Sequence, residues 1–526
     1  MRKPRTRVVS ALGCLGGLCL GLGVMGVAQS VTRPVATTGG LVAGKRLGQG
    51  IRFFAGIPFA RPPVGPLRWR PPQPARPWKG VRAARNFGAP CYQSAPLPRL
   101  GPWTRAFNSQ LPASENCLYL NLWTPARAGE RLPVMVFIYG GGYTSGAGSV
   151  AIYNGKHLAR RGVVVVNFNY RVGPFGFLAY PGLVRESRHH SAGNYGLLDQ
   201  IAALRWVRRN IANFGGDAGN ITIFGQSAGA SSVWLLMQSP LARGLFRRAI
   251  IMSGPGTLPF PAMMTAREKL AAACAAGEKF AASLGASSLK ALRALPAAKI
   301  QQGHSPIGFA PITDGWVLPA GPAPDPQARV INGMVADDIG IGYYGTAPPP
   351  PFTMSQYRRG LRWLCGAQAA ACRRLYPARN ARQAHRALLQ ARRDRAKMSL
   401  ALWARRQLRY SPAVYTYYFD HRLPWPQHPE YGVFHSSELP YVFDNLQVMR
   451  RPWQPRDRKI AREMSAYWTD FARNGNPNRG RLPHWPRFRA RPLRTMELGV
   501  RMGPMRLMPA AREQFWKKKL HTLLGF

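Results

Sequence analysis

The chain has 526 residues, 46% of them hydrophobic and 11% aromatic, which supplies a large core and excludes a disordered chain. Lysine and arginine number 73 against 21 aspartates and glutamates, a formal net charge of +52. That balance permits weak attraction to anionic polymers or membranes, but no nucleic-acid-binding motif accompanies it, so no specific nucleic-acid partner is expected.

At the N-terminus Arg2, Lys3, Arg5 and Arg7 precede an uncharged, mostly apolar run from Val8 to Ala28, closed by the small residues Gly26 and Ala28. This reads as a signal peptide over residues 1–28, cut near Ala28, which implies export to the periplasm or beyond. The alternative is an uncleaved anchor, since the run is long enough to span a bilayer. Cys14 lies too early in it to read as a lipid-attachment cysteine. Beyond the signal stand Cys91, Cys117, Cys274, Cys365 and Cys372, an odd number that leaves at least one free thiol. No CxxC pair or HExxH is present, so no metal site is expected.

Continuous apolar runs follow at Val134–Tyr139, Val163–Phe168, Ile221–Gly225, Ala249–Met252, Ala328–Met334 and Val414–Phe419. Runs without alternation are expected of strands buried on both faces, as in an α/β sheet. Between two of them Leu197, Ile201, Leu204, Val207 and Ile211 recur at helical spacing, and Phe214-Gly215-Gly216-Asp217 turns the chain into the next strand. The 48 prolines and 55 glycines are spread out and imply long loops. Two such loops are Pro322–Pro326 and Pro348–Pro351. The densest basic stretch, Arg373 to Lys397, interleaves Leu375, Ala384, Leu388 and Leu389 and reads as one amphipathic helix with a solvated face.

The strongest chemical signal is Gly225-Gln226-Ser227-Ala228-Gly229, between the strand Ile221–Phe224 and a helical run from Ala230 to Met237. A serine on a strained strand-to-helix turn, flanked by glycines that make room for the backbone, is a nucleophile elbow. Upstream, Val136-Phe137-Ile138-Tyr139 runs into Gly140-Gly141-Gly142. Alone this is an ordinary strand-ending turn. Ahead of an elbow, the bare N–H groups of Gly141 and Gly142 join that of Ala228 as an oxyanion hole.

With these motifs the chain resembles the type-B carboxylesterases of the α/β-hydrolase fold, the group that includes cholinesterases and bile-salt-activated lipases. The likeness runs from about Phe54 to the C-terminus. It includes Phe54-Ala55-Gly56-Ile57-Pro58-Phe59-Ala60-Arg61-Pro62-Pro63, Glu115-Asn116-Cys117-Leu118-Tyr119-Leu120-Asn121 and Asn169-Tyr170-Arg171-Val172-Gly173. It implies a Cys91–Cys117 disulfide and an ion pair between Arg68 and Glu115.

Chain order in this fold is serine, acid, histidine. Of the ten histidines, His435 lies in Tyr431-Gly432-Val433-Phe434-His435-Ser436-Ser437-Glu438-Leu439, which resembles the family's catalytic-histidine segment. The acid is less plain. Where the family has Gly-x-x-x-Asp-Glu-Gly, this chain reads Gly333-Met334-Val335-Ala336-Asp337-Asp338-Ile339-Gly340. Asp338 takes the glutamate position, one methylene shorter, so its loop must come nearer to His435. Asp337 is the rival, or a residue that ties the loop down. Gln226 replaces the glutamate that often precedes the serine, and Tyr139 replaces a histidine common before the glycines. Ser253 resembles a serine that supports the triad from behind, and reads equally as a strand-end turn residue.

The expectation is one α/β-hydrolase catalytic domain over residues 29–526, a central, mostly parallel twisted sheet flanked by helices with large loop and helical insertions. It hydrolyses small-molecule carboxylic esters through Ser227, His435 and Asp338, by an acyl-enzyme, without cofactor or metal. An amidase or thioesterase using the same site is an alternative, and so is a silent binding protein, although such proteins typically lose the serine or histidine. Uncharged Gln226 and the +52 charge argue against choline esters.

Overall fold

A computed structural model describes residues 30–93, 101–255, 268–303, 308–320, 328–338, 352–499 and 501–524. The expected signal segment and the two proline-rich loops lie outside the described residues.

The strands in chain order begin with β1 (Val35–Thr37), β2 (Gly40–Ala43), β3 (Lys45–Leu47), β4 (Ile51–Pro58) and β5 (Val81–Ala83). Then come β6 (Tyr119–Thr124), β7 (Leu132–Ile138), β8 (Val164–Phe168), β9 (Gly216–Gln226) and β10 (Arg248–Met252). The last are β11 (Arg329–Val335), β12 (Val414–Phe419), β13 (Arg494–Leu498) and β14 (Gly503–Arg506). β1, β2 and β5 form a small sheet, and the other strands form an 11-stranded sheet in the order β14-β13-β12-β11-β10-β9-β7-β8-β6-β4-β3. The central strands from β8 through β13 are parallel, and antiparallel pairings appear at β6–β8, β4–β6, β3–β4 and β13–β14. This is the expected α/β-hydrolase architecture, with helices on the sheet.

Every apolar run read as a strand is one, within a few residues at each end. The largest difference is β9, which starts at Gly216 because polar Gly216–Asn220 continues the strand, with Leu132 opposite Gly216. Backbone pairing needs no apolar side chain, so the hydrophobic pattern could not mark that extension. The helix carrying Leu197, Ile201, Leu204 and Val207 spans Tyr195–Asn210, and Ile211 opens a short 3-10 turn ending at Gly215 in the left-handed region (φ 81°).

The basic stretch is a correction. Arg373–Lys397 is not one helix: a first ends at Leu375 and a second runs Ala381–Gln407. Pro377 cannot donate into a continuing helix, and the Asn380 side chain accepts from Gln383 N at 3.0 Å to start the next. The second helix is also no surface element at its far end, where Ala396, Met398 and Trp403 are buried.

The order of strands in the sheet places β7 between β8 and β9, so the connections leaving β7 and entering β9 diverge there. Such a switch point opens a crevice beyond the carboxyl ends of the strands. The register pairs Ile138 with Gly225, and Met252 with both Gln226 and Gly333, so the ends of β7, β9, β10 and β11 lie side by side. Behind them, Phe137 packs on Phe224 at 4.9 Å, on Phe443 at 5.0 Å and on Tyr153 at 4.7 Å between ring centroids. That cluster fixes the segment after His435 against the sheet.

Four covalent or ionic ties hold the loops. Cys91 and Cys117 are bridged, as the resemblance implies, and a second bridge joins Cys365 to Cys372, which leaves Cys274 free among the described residues. Arg68 grips Glu115 with two bonds of 2.7 and 2.6 Å and donates to the carbonyls of Arg293 and Leu295. Deeper, Arg171 Nε and Nη2 donate to Asp199 at 2.8 and 2.7 Å, and the Arg171 N–H adds a third bond at 3.0 Å. This last pair joins the end of β8 to the helix Tyr195–Asn210 with both side chains almost fully buried.

Removing one member of such a pair strands the other charge in the interior. We expect Asp199→Asn to lower unfolding free energy by about 3–5 kcal/mol. Arg70→Gln, which removes a half-exposed contact with Glu186, should cost under about 1 kcal/mol. Urea titrations of both variants check the ranking.

Candidate active site

Ser227 lies between β9 and the helix Ala228–Gln238, with φ 60° and ψ −125°, a conformation strained for any residue with a side chain. Its surroundings enforce that geometry. A Cβ on Gly229 would fall 2.0 Å from the carbonyl oxygen of Ile138, and one on Gly140 would fall 2.5 Å from that of Gln226. Ser227 N donates to Met252 O at 2.9 Å, and Ser227 O accepts from Ser231 N at 3.0 Å, so both sides of the turn are pinned. The hydroxyl therefore stands at the helix N-terminus, where the backbone dipole favours negative charge.

The glycine turn after β7 lies against this elbow. Tyr139 anchors it: its ring stacks on Tyr170 at 4.5 Å, its hydroxyl donates to Tyr170 O, and the Tyr170 hydroxyl returns a bond to Tyr139 O at 2.9 Å. Gly141 O accepts from Thr144 N and Ser145 N, which folds the turn over. The N–H groups of Gly141, Gly142 and Ala228 donate to no group among the described residues.

His435 lies on the loop before the Leu439–Val442 helix, with 15% of its side chain exposed. Its Nδ1 is hydrogen-bonded to Asp338 Oδ1 on a fully buried carboxylate. The two loops are laced together beside that contact: Asp337 N donates to Val433 O at 3.0 Å, and Val433 N donates to Asp337 Oδ2 at 2.9 Å. Arg393 holds the other oxygen of Asp337 at 2.6 and 2.9 Å. The two neighbouring aspartates thus divide the work, Asp337 lashing the loop and Asp338 facing the imidazole. This lacing also brings the shorter acid into reach.

With the Nδ1 proton directed at Asp338, Nε2 is left as an acceptor. Gln226 Nε2 lies 3.2 Å from it, while Gln226 Oε1 accepts from Ser436 Oγ at 3.0 Å. Among the described residues no hydrogen bond joins Ser227 to His435; the glutamine amide borders the ring instead. Trp103 closes the other side, donating from Nε1 to His435 O at 3.2 Å. Ser253 follows β10 with φ 53°, and its N–H donates to Gly333 O. Its buried hydroxyl has no hydrogen-bond partner among the described residues.

Electrostatics around the ring oppose one another. Burial by itself depresses the His435 pKa, but the charge of Asp338, the hydrogen bond to it and the charge of Glu438 outweigh burial and raise it above the ordinary 6.5. Glu438 received no role in the sequence reading. It is fully buried, neither oxygen has a side-chain partner among the described residues, and burial together with the charge of Asp338 pushes its pKa up to about 8. Its position three residues past His435 was visible, but nothing in the sequence distinguishes a buried carboxyl from a solvated one. Among the described residues no group of three or more His, Cys, Asp or Glu side chains could hold a metal ion.

Comparison with known proteins matches the chain to the Carboxylesterase family over residues 31–349 and 352–516. It is 38% identical to the fumonisin B1 esterase of Sphingopyxis macrogoltabida over 84% of this chain and 82% of that protein. It is 34% identical to the cocaine esterase of Homo sapiens over 99% and 97%. Against the acetylcholinesterase of Bungarus fasciatus it is 32% identical over 90% and 84%. On the strength of a match across nearly all of its folded length, the chain belongs to the carboxylesterase family and is a type-B carboxylic ester hydrolase.

Proposed function

We propose that Ser227, His435 and Asp338 hydrolyse carboxylic esters through an acyl-enzyme, with Gly141, Gly142 and Ala228 binding the oxyanion. The observation that carries this reading is the hydrogen bond from His435 Nδ1 to a fully buried Asp338, beside a strained serine whose neighbouring N–H groups are unused. Asp338 holds the imidazole in the tautomer that leaves Nε2 basic. Ser227 Oγ attacks the ester carbonyl carbon as its proton passes to Nε2, and the Gln226 amide gives up that nitrogen to the hydroxyl. The negative charge that forms on the carbonyl oxygen is met by donors already in position, so little reorganisation is needed. The alcohol leaves with the proton from His435. Water then attacks the acyl carbon with His435 again as base, releasing the acid.

Residues 29–526 act in this reading as one catalytic domain, exported after removal of residues 1–28. The buried Cys91–Cys117 bridge supports the export, since such bonds persist in oxidising compartments. Uncharged Gln226 beside the reaction centre and a formal charge of +52 favour neutral or anionic esters over cationic ones.

Ser227→Ala should reduce ester hydrolysis roughly 10⁴-fold or more with the fold intact, and a fluorophosphonate should label the parent enzyme at Ser227. Peptide mapping of the labelled site and a turnover assay on purified variant check both; substantial residual turnover would overturn the assignment.

Asp338→Asn should slow the reaction by about 10³–10⁴-fold, because an amide no longer selects the Nδ1–H tautomer. Asp337→Asn should act mainly on stability, through the loops it ties. The reverse ranking of rates would move the acid to Asp337.

The pH profile follows from the sign of the His435 shift. The base works only when neutral, and its pKa is raised, so the acid limb of kcat/KM should have its midpoint above pH 6.5. Asp338→Asn removes the largest raising influence, and the midpoint of its residual activity should move down. A midpoint below 6.5 in the parent enzyme would contradict this ordering of effects.

A further inference from the structure

At the pole of the sheet opposite Ser227 lies a cleft of about 720 Å³. Its walls come from the starts of β9, β10 and β11, the turn before β10, and the end of the helix Pro455–Asn474. Ile221 in its floor is six residues before Ser227, which at strand spacing puts the two about 20 Å apart.

Five arginines line this cleft: Arg208, Arg243, Arg247, Arg248 and Arg329. Among the described residues, none of the five forms an ion pair with a carboxylate. The acid that acts on Arg248 is Asp217, half-buried and already accepting from Gly219 N at 2.7 Å. Arg248 and Arg329 are half-buried and donate to the carbonyls of Ala472 and Asn474, capping the end of that helix. This satisfies part of each guanidinium, but a helix end supplies only about half a negative charge. Arg248 Nε remains buried without a partner among the described residues. Arg243 and Arg247, at the exposed rim, make no side-chain hydrogen bond among the described residues. The crowding leaves its mark: burial first, then the charges of Arg329 and Arg247, bring the Arg248 pKa down to about 10.

A protein of charge +52 has arginines everywhere, so number alone decides nothing. What sets this cleft apart is a concave wall of planar, fork-shaped donors that repel one another and form no ion pair among the described residues. Guanidinium groups pair bidentately with phosphate oxygens, and several converging on one cavity match a compact anion carrying several charges. We propose that this cleft is a binding site for a multivalent phosphate anion of the oligophosphate type, remote from the ester-hydrolysing site and separate in function.

The test uses the full mature chain and inorganic tripolyphosphate, titrated calorimetrically at low salt and at about 0.15 M salt, where longer-range attraction is screened. Saturable binding of one tripolyphosphate per chain is expected. Arg243→Glu/Arg247→Glu should weaken it roughly tenfold or more, with esterase activity and circular dichroism unchanged. The control reverses the same number of charges in another arginine-rich hollow, Arg127→Glu/Arg131→Glu, and should bind almost as tightly as the parent. A milder pair, Arg243→Gln/Arg247→Gln, covers the case in which the reversal disturbs folding, and should show an intermediate loss. Equal weakening in cleft and control variants would reduce the effect to the overall field of the protein and overturn the site. Absence of saturable binding, or full binding by the cleft variants, overturns it as well. Sedimentation with zwitterionic vesicles carrying phosphatidic acid separates the sources: cleft-dependent capture assigns a lipid-borne phosphate, and tripolyphosphate binding without capture assigns a free one.

Discussion

The site depends on a contact between backbones. The ends of β7 and β9 and the first turn of the helix after Ser227 approach so closely that no Cβ fits at Gly140, Gly225 or Gly229. That approach forces Ser227 into its strained turn, aims its hydroxyl away from the sheet and sets the Gly141–Gly142 turn beside it. Parallel strands in register supply the rigidity. Because Ile138 lies opposite Gly225 and Met252 opposite Gln226, a slip of one residue in any of these strands would fill the gap with side chains. Strain of this kind persists only where its surroundings over-determine it, and here they do so from three sides.

Around that fixed point the remaining groups are brought in by polar ties of a different character. Asp338 and His435 come from loops with no regular pairing of their own, and Asp337, Val433 and Arg393 provide the lacing. The result is a crowded acid environment. Asp338 and Glu438 both lie in the interior beside one imidazole, and burial with the charge of Asp338 pushes the pKa of Glu438 up to about 8. Since burial and the charge of Asp338 raise Glu438 while the same charge raises His435, the protonation of Glu438 and that of His435 are linked.

Much of this was legible before any coordinates. The central strands showed as unbroken apolar runs, and the elbow and glycine turn showed as short motifs, because burial on both faces and steric exclusion of Cβ leave direct marks on residue choice. Asp338 and His435 were legible only through likeness of their segments. What escaped notice had no such mark. The polar start of β9 is held by backbone pairing, the break at Tyr376–Asn380 hides inside a continuous basic stretch, and the burial of Glu438 arises from chain segments distant in sequence. The arginines of the far cleft, drawn from positions 208 to 329, could not be grouped without the strand order.

The parallel order of the sheet also bears on when chemistry first exists in a newly made chain. β7 and β9 pair residues nearly ninety positions apart, and β11 must wait for β12, more than eighty positions downstream. Contacts of such sequence separation close slowly, since the entropy of the intervening loop is lost before the pairing is gained. His435 follows β12 and is the last of the three side chains of the proposed triad to be synthesised. On the proposed mechanism a partly made chain therefore carries its serine without a base to activate it. Reactivity toward esters would then arrive only with the completed sheet.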